Sequence, residues 1–459
     1  MIYLAVALLG AVSYLYKNYD YFIIALFFIL SMGFGFVAQP TFKLPDLALG
    51  MCLICSVVSF FQNTSHFNIK GDPVAAIIFI LLGYYTVVAV FTIATGTENM
   101  TYGLKVWRLE LLYLSYFSFR KIPYPSVMKA LKVLSVITLI TAVFYLLQYV
   151  GIEGVLISKA FDEGAAGSSS LARFRNFPLL TTVCIFYFLF CKKSSRYRWI
   201  YILILFAVII FMQSRGEILA TLAAVALYFL IKGEVGRIVK AGLVLLVLAL
   251  LFLPVIEYTF QGRNSSGNAS FTDEVGKGLN IASGSAASLR QTDIEGTFIF
   301  RMVLLRERMD FLFSKSRYLF GVGTIHEDSP NNRFSFVIGS QKIDDKGDLV
   351  YQQIDTNDIA FVTHIFRYGF LYLVIFLAFL CFALKKLYKN SRLSVVSLIA
   401  FLLLMKYIIQ SLGGDQFSTF AKMAFILLAL GHRVKPKLKR KSVRTILYEN
   451  KDSYNYIEL

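Results

Sequence analysis

Apolar runs separated by short polar breaks dominate this sequence from end to end. The runs are roughly 15 to 24 residues long, the length at which an α-helix rising 1.5 Å per residue crosses a hydrocarbon core of about 30 Å. The pattern predicts thirteen membrane helices, at 2–16, 20–38, 45–61, 74–95, 105–119, 128–150, 177–191, 198–213, 217–232, 239–257, 358–384, 393–411 and 417–431. The fifth is short and carries Arg108 and Glu110, so the expected count lies between twelve and fourteen. The fold class that follows is an all-α polytopic membrane protein with one large loop between the tenth and eleventh spans. Its expected divisions are 1–257 (ten helices), 258–357 (loop or lid), 358–431 (three helices) and 432–459 (basic tail). The opening Met-Ile-Tyr-Leu has neither a basic leader nor a small-residue cleavage site, so 2–16 is expected to be a retained span.

Composition agrees with the pattern: 57% of residues are hydrophobic and 16% charged, against about 25% charged in soluble domains. The net charge of +18 raises the question of nucleic acid, but its distribution points to a lipid bilayer instead. The basic residues gather in short breaks, at Arg120, Lys121 and Lys129, at Lys192, Lys193, Arg196 and Arg198, and at Lys385, Lys386, Lys389 and Arg392. A further group fills the tail from Arg433 to Arg444. Threading the spans in alternating orientation puts all of these on one side, which the positive-inside rule assigns to the cytoplasm. The opposite breaks then face outward, namely 39–44, 96–104, 151–176, 214–216, 258–357 and 413–416. In the large outward loop, Gly262 to Arg290 is rich in Gly, Ser, Asn and Ala and is expected to be mobile. Phe298 to Ser316 reads as a helix with a basic-acidic face, ending in a turn at Phe320-Gly321-Val322-Gly323.

Chemistry has to be built from few groups. All five cysteines lie in or beside apolar runs, where a small buried hydrophobe is the ordinary role, and Cys52 and Cys55 have no partner pair for zinc. The four histidines are scattered, so no metal or other cofactor is expected, and no phosphate-binding glycine loop or nucleophile elbow is present. The sharpest outward feature is Ser214-Arg215-Gly216-Glu217 at a span junction. Ser-x-x-Glu is a capping box, and a boundary arginine can simply snorkel. An always-charged guanidinium beside a helix N-terminus also suits the phosphate of a lipid carrier. His364, Arg367, Lys406 and Lys422 are placed at a similar outward depth, with Asn357, His364 and Arg367 on one helical face. Several costly ionisable groups near one side point to a polar cavity opening there.

These residues resemble a known family. Ser-Arg-Gly at a span end is followed by a long loop whose helix carries Arg301, Arg306 and Arg308 and runs into Leu-Phe-Gly-Val-Gly. Asp355-Thr356-Asn357-Asp358 then precedes a span containing Arg-Tyr-Gly. The order is similar to the O-antigen polymerase and ligase superfamily over roughly residues 198–384. The resemblance implies a metal-independent, GT-C-like glycosyltransferase that joins undecaprenyl-pyrophosphate-linked oligosaccharides at the periplasmic face of the bacterial inner membrane, together with a chain-length regulator as a possible protein partner. It implies that Arg215 and Arg301 bind the pyrophosphate, with Arg306, Arg308 and Arg367 as further candidates and Ser214, Glu217, Lys406 and Lys422 in support. Many members carry His-Asn before the span that follows the loop, whereas Asp355 to Asp358 stands here. Asp358 and Asp355 are therefore the preferred general bases and His364 the reserve. A polymerase is the leading expectation, a ligase the near alternative and a transporter the alternative of another class.

Overall fold

A computed structural model describes residues 1–38, 40, 42–62, 64–152, 155–157, 160–161, 173–174, 177–191, 196–212, 215–231, 297–332, 334, 336, 340–343, 349–354, 359–411 and 413–432. Helices are numbered among these residues. The first half holds α1 (Ile2–Leu15), α2 (Tyr19–Leu30), α3 (Leu44–Gln62), α4 (Pro73–Ala94), α5 (Met100–Glu110), α6 (Ser115–Phe119) and α7 (Tyr124–Leu147). There follow α8 (Thr181–Phe190), α9 (Arg198–Phe211), α10 (Arg215–Ile231), α11 (Thr297–Ser314), α12 (Ala360–Asn390), α13 (Val395–Gln410) and α14 (Phe420–Gly431). Eleven of the expected spans fall on apolar helices; the fifth, 105–119, does not, and 239–257 lies outside the described residues. Four apolar helical stretches, at Leu44–Gln62, Pro73–Ala94, Tyr124–Val150 and Phe361–Asn390, are long enough to cross a bilayer by length and composition.

The packing is that of a membrane-embedded bundle. Its interior is rich in hydroxyl-bearing residues: Tyr14, Tyr85, Tyr113, Tyr116, Tyr145, Tyr368 and Tyr372 are fully buried. Large aliphatic and aromatic residues such as Val87, Val90 and Phe91 on α4 face outward. Lipid is as apolar as these side chains, so exposing them there is free of the penalty that water would impose. Buried hydroxyls turn back on their own helices, as where Thr92 donates to Val88 O at 2.7 Å and Thr138 to Leu134 O at 2.7 Å.

Two expected helices come out differently. The second stops at Leu30, because Met32 takes a left-handed conformation (φ 54°) that leads into a short turn at Gly33–Gly35. The fifth is broken: α5 and α6 are separated by a 3-10 turn at Leu111–Leu114. Ser115 donates to Leu112 O and Ser118 to Ser115 O, both at 2.7 Å, and such local bonds compete with a regular helix. The otherwise helical fold also carries two small antiparallel pairs, β1 (Ala160–Phe161) with β2 (Arg173–Phe174) and β3 (Ser340–Ile343) with β4 (Leu349–Gln352).

Polar groups collect at the two ends of the bundle. At one end Asp72, before α4, meets Lys386 of α12 at 3.1 Å, Arg120 at 3.6 Å and the Tyr116 hydroxyl at 2.5 Å. Burial opposes charge on Asp72, but these partners together hold its carboxyl below the usual range. At the same end His432 bonds Ser394 at 3.1 Å and Ala429 O at 2.8 Å, and burial pushes it down to about 4, so it is neutral at physiological pH. The other end carries the loop helix α11.

The loop is rooted through a break in α12. Gly369 there has φ 76° and ψ −176°, outside helical geometry. The carbonyls freed at Phe366 and Arg367 accept from the amides of Val322 and Gly323, both at 2.9 Å, and that of Tyr368 accepts from the Tyr84 hydroxyl. In return the amides of Phe370 and Leu371 donate to Tyr318 O and Leu319 O at 2.8 and 3.3 Å. Broken backbone at membrane depth is tolerated where protein satisfies it, and here the strap 318–323 does so. An aromatic cluster of Phe311, Phe334, Phe336 and Phe366 then packs the loop onto α12.

Candidate functional site

The first turn of α10 places Glu217 against α8 and α13. Its carboxylate accepts from the Lys406 ammonium, from Gln410 and from Thr182 (3.1 Å), while Lys406 also donates to Thr182 Oγ1 at 3.0 Å. The Lys406 side chain is 3% exposed and that of Glu217 13%. A buried ammonium would be far too costly unpaired, so the pair accounts for both charges. The result is a polar node joining three apolar helices near the starts of α8 and α10 and the end of α13.

One turn further along, the α13–α14 connection gathers cations and a carboxylate. Gly413 N donates to Gln410 O at 2.8 Å, and Gly413 O accepts from Arg301 Nη2 of α11 at 2.7 Å. A side chain at Gly413 would begin 3.3 Å from Arg301 Nη1, so glycine leaves the guanidinium room to reach the backbone. Lys422 of α14 donates to Asp415 O at 2.6 Å. Asp415 Oδ1 accepts from the amides of Phe417 and Ser418 at 2.9 and 3.1 Å, closing the turn before α14. The Ser418 hydroxyl bonds His364 Nε2 at 2.7 Å, and the His364 ring lies nearly parallel to that of Tyr372, 5.1 Å away. Arg301, Lys406, Lys422, His364 and Glu217 are thus drawn to one end of the bundle by five different helices.

Other expected site residues go elsewhere. Arg306 pairs with Asp310 of its own helix at 2.8 Å. Arg308 is buried in the loop, bonded to Glu307 at 2.6 Å and Gln353 O at 2.9 Å, with its guanidinium 4.0 Å from the Phe336 ring centre. Burial lowers Arg308 to about 10, against the opposing pull of Glu307 and Glu327. Arg367 donates to Ile325 O at 3.2 Å and helps seat the strap. Ser214, Asp355, Asn357, Asp358, the stretch Gly262 to Arg290 and the tail from 433 onward lie outside the described residues, as does the side chain of Arg215, whose backbone opens α10. Asp415, Gln410, Thr182 and Ser418 were missed from the sequence. The polar run Gly413-Gly414-Asp415-Gln416 between two spans was the available signal for Asp415. Glu98 was missed too: it anchors the segment that follows the strap by accepting from the His326 amide at 3.1 Å and the Ser329 hydroxyl at 2.7 Å. Among the described residues no group of three or more His, Cys, Asp and Glu gathers as metal ligands would.

No protein-family model matches this chain, and no curated protein sequence matches it.

Proposed function

We propose that the protein is a glycosyltransferase of the lipid-linked oligosaccharide polymerase type, acting at the loop-bearing end of the bundle, outside the cytoplasm of a bacterial inner membrane. The observation that carries the reading is the reach of Arg301. A loop arginine stands on the α13–α14 turn, three residues from Gln410, which bonds Glu217, which in turn lies two residues from Arg215. The start of α10, whose backbone carries Arg215, and the turn that Arg301 reaches are thereby linked through Glu217 and Gln410, although 86 positions separate the two arginines in sequence (301 − 215). The loop motif 319–323 and the span motif 367–369 are likewise bonded to each other.

In this reading a hydroxyl of the acceptor sugar attacks the anomeric carbon of the donor. The new C–O bond forms as the bond from that carbon to the pyrophosphate oxygen breaks, and the carrier leaves with the electron pair. Arg215 and Arg301 neutralise the charge that develops on the leaving group. The acceptor's proton passes to a carboxylate, Asp358 or Asp355, with His364 in reserve; for His364 this requires exchanging its bond to Ser418. Lys406 is neutralised by Glu217 and serves to hold that carboxylate in place, while Lys422 stands at the neighbouring turn beside Asp415. Asp355 to Asp358, standing where ligases of the resembled family carry His-Asn, favours extension by repeat units over the alternative, transfer of a finished glycan by a ligase.

Purified protein reconstituted in liposomes with an undecaprenyl-pyrophosphate-linked repeat unit tests this by sizing of the glycan product. A ladder is expected from the wild type. Arg215→Ala, Arg215→Lys and Arg301→Ala are each expected to lower product about ten- to a hundredfold, from loss of roughly 2 to 4 kcal/mol of contact to a developing anion. Full activity in the alanine variants at normal protein abundance would overturn the arginine assignment, and absence of any ladder from the wild type would overturn the reaction.

A further inference from the structure

The end of α11 and the strap carry an unusual surface for an extramembrane loop. Phe313, Tyr318, Leu319 and Phe320 are 57, 39, 50 and 59% exposed. Phe313 and Tyr318 stack at 5.6 Å, and Phe313 also leans on Phe370 of α12 at 6.0 Å, so the group forms one patch. Water would not favour four adjacent large apolar side chains at these exposures.

What covers the patch is indicated by its neighbour. Beyond the break, α12 exposes Leu371, Val374 and Leu377 along one face, and α12 is one of the helices long and apolar enough to span a membrane. Leu371 N is bonded to Leu319 O, so the outward-facing stripe of the helix runs without interruption onto the strap. Depth gives the same answer. The polar end of α12 begins at Lys385, and about 20 residues of helix are needed to cross about 30 Å of hydrocarbon. Counting back from Lys385 by that amount reaches Ile365. The segment Phe366–Leu371, and with it the strap bonded alongside, falls at the edge of the hydrocarbon. Lys315 and Arg317 stand exposed within the same short stretch, where lipid phosphates lie.

We propose that the loop docks onto the bilayer through this patch, with Phe313, Tyr318, Leu319 and Phe320 entering the acyl-chain boundary of the leaflet at the loop-bearing end and Lys315 and Arg317 meeting its phosphates. The occupant is phospholipid, and the loop is thereby held against the membrane surface beside the turn between α13 and α14 that Arg301 of α11 reaches. The inference stands on the shape and chemistry of the surface and is independent of the reaction proposed above.

The chain has two tryptophans, Trp107 and Trp199, so a Trp107→Phe, Trp199→Phe background allows a single reporter to be placed. Full-length protein carrying Phe320→Trp or Phe313→Trp in proteoliposomes is read by quenching with phospholipids brominated near the top of the acyl chain and, separately, with aqueous iodide. Leu377→Trp in the same background is the reference for a site in the spanning part of α12. Quenching by brominated lipid within about twofold of the reference, with protection from iodide, is the expected result. Strong iodide quenching without lipid quenching would show the patch in water and overturn the proposal. Quenching by neither would show a protein cover, from a second copy or another part of the chain, and would overturn it equally. The two reporter positions guard against one substitution failing to assemble.

Discussion

Glu217 stands three residues after Ser214, a spacing that suggests a capping box, yet its carboxylate is taken by Lys406, 189 positions away, and by Gln410 and Thr182. Local spacing speaks only to local bonds; a buried cation on another helix is a stronger claimant than a backbone amide. The pair is expected to behave as a unit. Glu217→Gln leaves a buried ammonium and Lys406→Met a buried carboxylate, so each is expected to cost roughly 3 to 5 kcal/mol. The double variant Glu217→Gln/Lys406→Met should recover much of that loss. Thermal unfolding of the four proteins in detergent measures the coupling, and additive losses would show that the two charges are independently satisfied. Lys406 and Lys422 are legible in the sequence as charges within apolar runs, but their partners are not, because the runs around them carry no mark of which helix they face.

At the scale of elements, α12 is the decisive case. Its length and apolar content are plain in the sequence, and so is the Arg-Tyr-Gly within it, but the break is not. Glycine inside an apolar run is equally compatible with a continuous helix, and only the strap, packed from 48 residues earlier (369 − 321), makes the departure possible by bonding the freed groups. The two glycines are matched: a Cβ on Gly369 would lie 2.1 Å from Leu319 O, and one on Gly321 2.3 Å from Arg367 O. Both also hold positive φ, 76° and 70°. Gly369→Ala and Gly321→Ala are therefore each expected to destabilise the protein by roughly 2 to 4 kcal/mol through strain and backbone collision. Gly83→Ala is the control, since a Cβ there meets nothing within 4 Å and the helix gains propensity. Equal thermal stability of all three variants would show that the strap is not seated as described.

For the whole molecule, the placement of basic breaks implies a sidedness that the bundle's two polar ends make testable. Asp72, Arg120 and Lys386 meet at one end, while Arg301, Asp415 and Lys422 meet at the other. Reporter fusions at Ser266, in the loop, and at Ser442, in the tail, are expected to respond oppositely to an extracytoplasmic reporter, with Ser266 active. Equal responses would reverse or dissolve the assignment of an outward site. Run length and charge bias determined by themselves that the chain is a helical membrane protein and which breaks carry positive charge, because insertion into lipid depends on properties summed over one segment at a time. Which charges meet, where α12 breaks, that α5 and α6 are separate, and that Arg301 rather than Arg306 or Arg308 reaches the α13–α14 turn were decided only by tertiary structure. Those outcomes depend on pairings between segments far apart in the chain, and the free energy of a buried charge or an unsatisfied carbonyl is set by the partner that arrives, which neither residue's own neighbourhood specifies.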